Sequence, residues 1–146
     1  MAVLASLLVL EVLESTLQKT HLWLNDLAKA AHVDKPTAYK SLRAVLHAIR
    51  DRLPVDEAAH FAAQLPLLIR GIYFEGWRPA ATPVKFSREE FLQKVHANIV
   101  SSEVIDPLRI TCAVFEILNK HLSPGETKHV RKILPKDLQA LWPEPA

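Results

Sequence analysis

The sequence predicts an all-α fold, a compact bundle of about eight helices in two related halves. Three observations carry this. Apolar residues recur at the three-four spacing of helices along most of the chain, and no window shows the period-two alternation of a half-buried strand. Only three glycines occur, Gly71, Gly76 and Gly125, too few for a sheet built on tight hairpins. The chain also resembles itself at an offset of 69 residues: Ala44, Val45, Leu53, Glu57, His60, Leu65 and Pro66 recur as Ala113, Val114, Leu122, Glu126, His129, Leu134 and Pro135. Conservative pairs such as Ile49 with Leu118 and Tyr73 with Trp142 fill the gaps, mostly at core positions. Two units are too few for a solenoid, so the halves are expected to pack face to face about an approximate two-fold axis.

The first helix takes its buried stripe from Leu10, Leu13, Leu17, Thr20, Leu24, Leu27 and Ala31. The apolar opening Met1–Leu10 reads as the start of this helix, buried like the rest. It lacks the positive segment of a signal peptide, and its ten residues fall well short of the roughly 20 needed to cross a bilayer. The heptad spacing also suits a coiled coil, but packing against the chain's own core is the expectation, because the charged flanks of a long coiled coil are missing.

Asp34 N-caps a second helix, with Pro36 in its first turn and Leu42, Val45, Leu46, Ile49 and Leu53 inward; Pro54 ends it. A third covers about residues 55–65, with Ala58, Phe61, Ala62 and Leu65 inward, and a short fourth begins at Pro66. Residues 76–87 hold two prolines and no periodicity, as a linker would. Ser87 and Glu90 form a capping box for the fifth helix, Asp106-Pro107 opens the sixth, and Ser123 with Glu126 forms a second capping box opening the seventh. Pro135 resets the chain into a short last helix near Trp142. The organisation is one domain over 1–146, with a first helical half 1–75, the linker 76–87 and a second half 88–142.

Composition narrows the function. The 146 residues are 49% hydrophobic and 23% charged, as in ordinary globular domains. Residues 1–75 carry 8 Lys+Arg against 8 Asp+Glu, and the remainder 10 against 8, without the basic excess of a dedicated nucleic-acid binder. The single cysteine, Cys112, forbids an intramolecular disulfide and a cysteine zinc knuckle. It reads as a buried packing thiol in a reducing cytoplasm.

Leu42-Arg43-Ala44-Val45-Leu46, Asp51-Arg52-Leu53-Pro54, Ala63-Gln64-Leu65-Pro66 and Ile69-Arg70-Gly71-Ile72-Tyr73-Phe74-Glu75-Gly76-Trp77 together resemble the bacterial family named domain of unknown function 2267. Leu17-Gln18-Lys19-Thr20 and Leu134-Pro135 extend the resemblance over nearly the whole chain; Ile72 ahead of the aromatic pair is the departure. The resemblance implies a small helical bacterial protein and brings no activity with it.

Three sets of residues carry chemistry. Glu57 and His60, with Glu126 and His129, are two Glu-x-x-His pairs at equivalent repeat positions; in helix bundles this spacing sets two metal ligands on one face. Against a metal site, Glu126 already serves as the capping-box partner of Ser123. Lys40, Arg43, His47 and Arg50 form a basic stripe, and Lys128, Arg131, Lys132 and Lys136 another; such stripes contact phosphates or simply solvate an outer face. Tyr73, Phe74, Trp77 and Arg78 border the linker, as an interface patch or as a plug between the halves. No phosphate-cradling glycine loop or Gly-x-Ser-x-Gly appears, and His21, His32, His96 and His121 are scattered without nucleophile partners. The reading is a non-enzymatic protein–protein interaction module without a cofactor or membrane span, whose partner is another protein or a second copy. A metal-binding bundle and a weak nucleic-acid binder are the alternatives, the charge balance counting against the second.

Overall fold

A computed structural model describes residues 2–145. Its described residues form eight α-helices and no strand: α1 (Ala2–Ala31), α2 (Lys35–Arg52), α3 (Val55–Ala63), α4 (Leu67–Phe74), α5 (Arg88–Ala97), α6 (Pro107–His121), α7 (Pro124–Ile133) and α8 (Lys136–Gln139). The caps follow the sequence. The Asp34 side chain accepts from the Thr37 amide at 2.8 Å, and the Asp106 side chain from the Leu108 amide at 3.0 Å. His32 ends α1 in the left-handed region, at φ 54°, a cap without the glycine that usually takes it.

α2 lies at the centre, against α1, α4, α5 and α6. Most of its surface is enclosed: Ala38, Leu42, Val45, Leu46, Ala48 and Ile49 are buried, and so is Ser41, its hydroxyl donating to the Thr37 carbonyl at 2.7 Å. α6 is the matching apolar helix, burying Ile110, Val114, Phe115, Ile117 and Leu118. α1 crosses both, and Asp26 fastens it to α6 through His121 Nε2 at 2.8 Å and Lys120 Nζ at 2.9 Å.

Corresponding helices keep the sequence offset. α2 and α6 end at Arg52 and His121, α3 and α7 begin at Val55 and Pro124, and α4 and α8 begin at Leu67 and Lys136, each 69 residues apart. Pro66 and Pro135 precede the last pair with the same backbone angles, φ −56° and ψ 151°. At equivalent positions Arg70 and Gln139 do the same work: Arg70 donates to the Ala63 and Leu65 carbonyls, Gln139 to those of Lys132 and Leu134. The linker folds back on the first half, its Val84 amide donating to the Asp51 carbonyl at 2.7 Å.

The start of α1 departs from expectation. Only its second part is in the core, through Thr20, Trp23, Leu24, Leu27 and Ala31. Val3 is 75% exposed, and Leu10, Leu13 and Leu17 are each at least half exposed, so the opening is not the start of a buried helix. The reason is reach. Thirty helical residues run about 45 Å, further than a domain of this size is wide.

Candidate functional site

The projecting part of α1 gathers most of the exposed large apolar side chains among the described residues. Val3, Leu4, Leu7, Leu8, Val9, Leu10, Val12, Leu13 and Leu17 are all at least half exposed. Their combined area is on the order of several hundred Å², the size of the largest patches that monomers carry. Up to Leu10 the helix is apolar all round except for Ser6; from Glu11 on, Glu14, Ser15, Gln18 and Lys19 make its back polar. The seam through Val3, Leu10, Leu13 and Leu17 continues in register into the buried Thr20, Leu24, Leu27 and Ala31. One stripe is therefore covered along its second half and bare along its first. Beside the bare part, Leu8, Glu11, Val12, Ser15, Thr16 and Lys19 line an open groove of about 450 Å³ together with Pro66 and Leu67. Thr16 Oγ1 caps α4 there, accepting from the Leu68 amide at 3.0 Å. The periodicity marks the stripe but not that its first half is uncovered; the length of the helix against the width of the domain carries that signal.

The two Glu-x-x-His pairs meet. α3 packs on α7, and each glutamate reaches the histidine of the other helix: Glu57 Oε2 lies 2.7 Å from His129 Nε2, and Glu126 Oε2 lies 3.4 Å from His60 Nε2. The two imidazoles stand edge to face with centroids 5.7 Å apart. Ser123 accepts from the Glu126 amide, but the Glu126 carboxylate does not return to the serine amide, unlike Glu90 at Ser87. Half of the predicted capping box is missing, and the Glu126 side chain is free for His60. As they stand the donors are two pairs, and among the described residues no three His, Cys, Asp or Glu side chains are gathered as a metal ion needs.

The basic stripes are largely spent on structure. Arg50 is buried, with Nη1 donating to the Tyr73 and Glu75 carbonyls and Nε to Asp51 at 2.8 Å, so it is no outer-face anion contact. Lys40 donates to the Val100 carbonyl, Arg43 pairs with Glu75, and Arg131 holds the Trp142 carbonyl. Lys128 and Lys132 are exposed. His47 Nε2 donates to the Ile72 carbonyl at 2.7 Å. Its burial holds its pKa below the usual value, helped by the charges of Arg50 and Arg43 and opposed by the hydrogen bond and by Asp51. An imidazole kept neutral in the fold but free to protonate when unfolded stabilises above about pH 6.5, and that contribution is lost as pH falls toward its folded pKa. The urea midpoint is thus expected to drop between pH 7.5 and 5.5, and His47→Gln to flatten that slope; an unchanged slope in the variant would assign it to other groups.

The aromatic segment is interior rather than a patch. Tyr73 is fully buried, its hydroxyl donating to the Ala58 carbonyl at 2.8 Å and its ring against Phe61 at 5.7 Å. Phe74 and Trp77 pack half-buried against the core, and Arg78 alone is exposed. Cys112 is half-buried, and burial raises its pKa, with Glu116 adding to the rise, the opposite of an activated thiol.

The family described as "Uncharacterized conserved protein (DUF2267)" matches residues 20–141. No curated protein matches the chain. The match begins at the residue where α1 enters the core, so the projecting part of α1 lies outside it. Among the described residues no helix is long and apolar enough to cross a membrane.

Proposed function

The chain belongs to the uncharacterised DUF2267 family, and from that premise and the geometry above we propose that it is a non-enzymatic interaction module of a bacterial cytoplasm, one that self-associates through the projecting part of α1. The bare seam carries the reading. A helix with an apolar seam at 3.5-residue spacing is complementary to another such helix, and a second copy supplies an identical one. A two-fold pairing needs a single self-complementary surface, and each copy brings the same exposed leucines and valines to it. Antiparallel pairing also keeps the two globular bodies at opposite ends and lets Leu10 of each copy meet Leu13 of the other.

Untagged protein is expected to be dimeric by light scattering at micromolar concentration. Leu13→Asp should weaken association by at least about 100-fold, since a charge would be buried unpaired in the seam, while the unfolding stability of the monomer moves by under about 0.5 kcal/mol, as for other exposed sites. With Cys112→Ser in the background, a mixture of Leu10→Cys and Leu13→Cys chains should cross-link faster than either alone. A wild-type chain that stays monomeric at high micromolar concentration, or one that binds lipid vesicles as a monomer, overturns the proposal.

A further inference from the structure

A second site stands apart from α1, between the starts of α3 and α7. Its four side chains come from equivalent positions of the two halves and cross over, each glutamate to the opposite histidine. The two contacts differ. Glu57 and His129 make a short hydrogen bond. Glu126 and His60 make none, and Glu126 Oε2 is buried without any hydrogen-bond partner. A carboxylate oxygen enclosed without a hydrogen-bond donor is held at a loss unless something else satisfies it. The 3.4 Å between it and His60 Nε2 matches the ligand-to-ligand edge of a tetrahedral site, about 3.4 Å for bonds near 2.1 Å.

We infer that Glu57, His60, Glu126 and His129 form a site for a borderline divalent cation of the zinc class, two imidazole nitrogens and two carboxylate oxygens around one ion. Imidazole with carboxylate suits Zn2+ and Co2+ better than the all-oxygen shells of Ca2+ and Mg2+. Glu126 and His60 already sit at ligand spacing. His129 and Glu57 must exchange their hydrogen bond for bonds to the ion, and side chains of which the histidines are about half exposed have room to turn. The i, i+3 spacing keeps each pair on one helix face. Once loaded, the ion would pin α3 to α7 and so tie the first half of the chain to the second. Its free energy of binding would add to that of folding.

The test uses untagged full-length protein, freed of metal and titrated with Co2+. The expected result is one Co2+ per chain with the intense visible bands of four-coordinate geometry, displacement by Zn2+, and a rise in Tm of several degrees. His129→Ala and Glu126→Gln should each lose the bands and the rise in Tm. Both positions are partly exposed, and the apo Tm of each variant reports whether it folds. A Tm that does not move with either metal overturns the inference. Binding that survives both substitutions overturns it too, because the ion would then sit elsewhere. Dimerisation through α1 is read separately by light scattering, so failure of one proposal leaves the other standing.

Discussion

Arg50→Ala is expected to cost about 3–5 kcal/mol, as when one partner of a buried ion pair is removed. The guanidinium is almost wholly enclosed and ties three things together: the end of α2, the turn that closes α4, and the Asp51 carboxylate. Asp51 is itself mostly buried, with Lys94 on its other oxygen at 2.5 Å. Desolvation would raise the pKa of Asp51, yet the hydrogen bonds from Arg50 and Lys94 outweigh it and hold the carboxyl below its ordinary value. Truncating Arg50 strands the Tyr73 and Glu75 carbonyls and leaves Asp51 with half its partners. The urea midpoint should fall with little change in slope. The pH dependence checks the mechanism. A lowered carboxyl pKa contributes stability above about pH 4, lost as pH falls through the folded value, so acid unfolding of the variant should move to higher pH. A loss under about 1 kcal/mol would mean that the carbonyls find other donors.

Arg50 also shows where the sequence stopped being legible. Its spacing from Lys40, Arg43 and His47 places it on one helical stripe, and a stripe of cations reads as solvated. The turn after α4 folds back over that stripe and buries its end, which no local periodicity encodes. The helices themselves were readable, because caps and prolines act locally: Asp34, Ser87, Asp106 and Pro66 stop or start helices where expected. The crossed Glu–His pairs were readable through the offset that repeats them, whereas their contact depends on how α3 meets α7. The capping box at Ser123 failed for a related reason: its glutamate turns toward His60 across the α3–α7 contact and not back to the serine amide. The start of α1 failed because hydrophobic spacing says which face seeks cover and not whether this chain supplies it.

Trp142→Ala is expected to cost about 3–5 kcal/mol, in the range for large buried aromatics, and to lower Tm by on the order of 10 °C. Trp142 is fully buried one residue beyond the family match, its ring stacked on Phe115 at 4.4 Å. Its indole nitrogen donates to Asn119 at 2.8 Å, and its carbonyl accepts from Arg131 at 2.8 Å. The Asn119 amide in turn donates to the Pro143 carbonyl at 2.8 Å, so one ring fixes the chain's last turn onto α6. Trp142→Phe keeps the stack and gives up the hydrogen bond to Asn119, and should cost only about 1–2 kcal/mol. The gap between the two variants therefore measures the stack and the cavity, and thermal unfolding of both reads it directly. Tyr73, 69 residues earlier, is also fully buried, its ring edge to face with Phe61 where that of Trp142 is stacked, and Tyr73→Ala should carry a comparable loss. Equal and cooperative losses at both positions would mean that the halves unfold together. A single transition surviving at its original midpoint in either variant would mean that the half it closes is held by something other than its aromatic clasp.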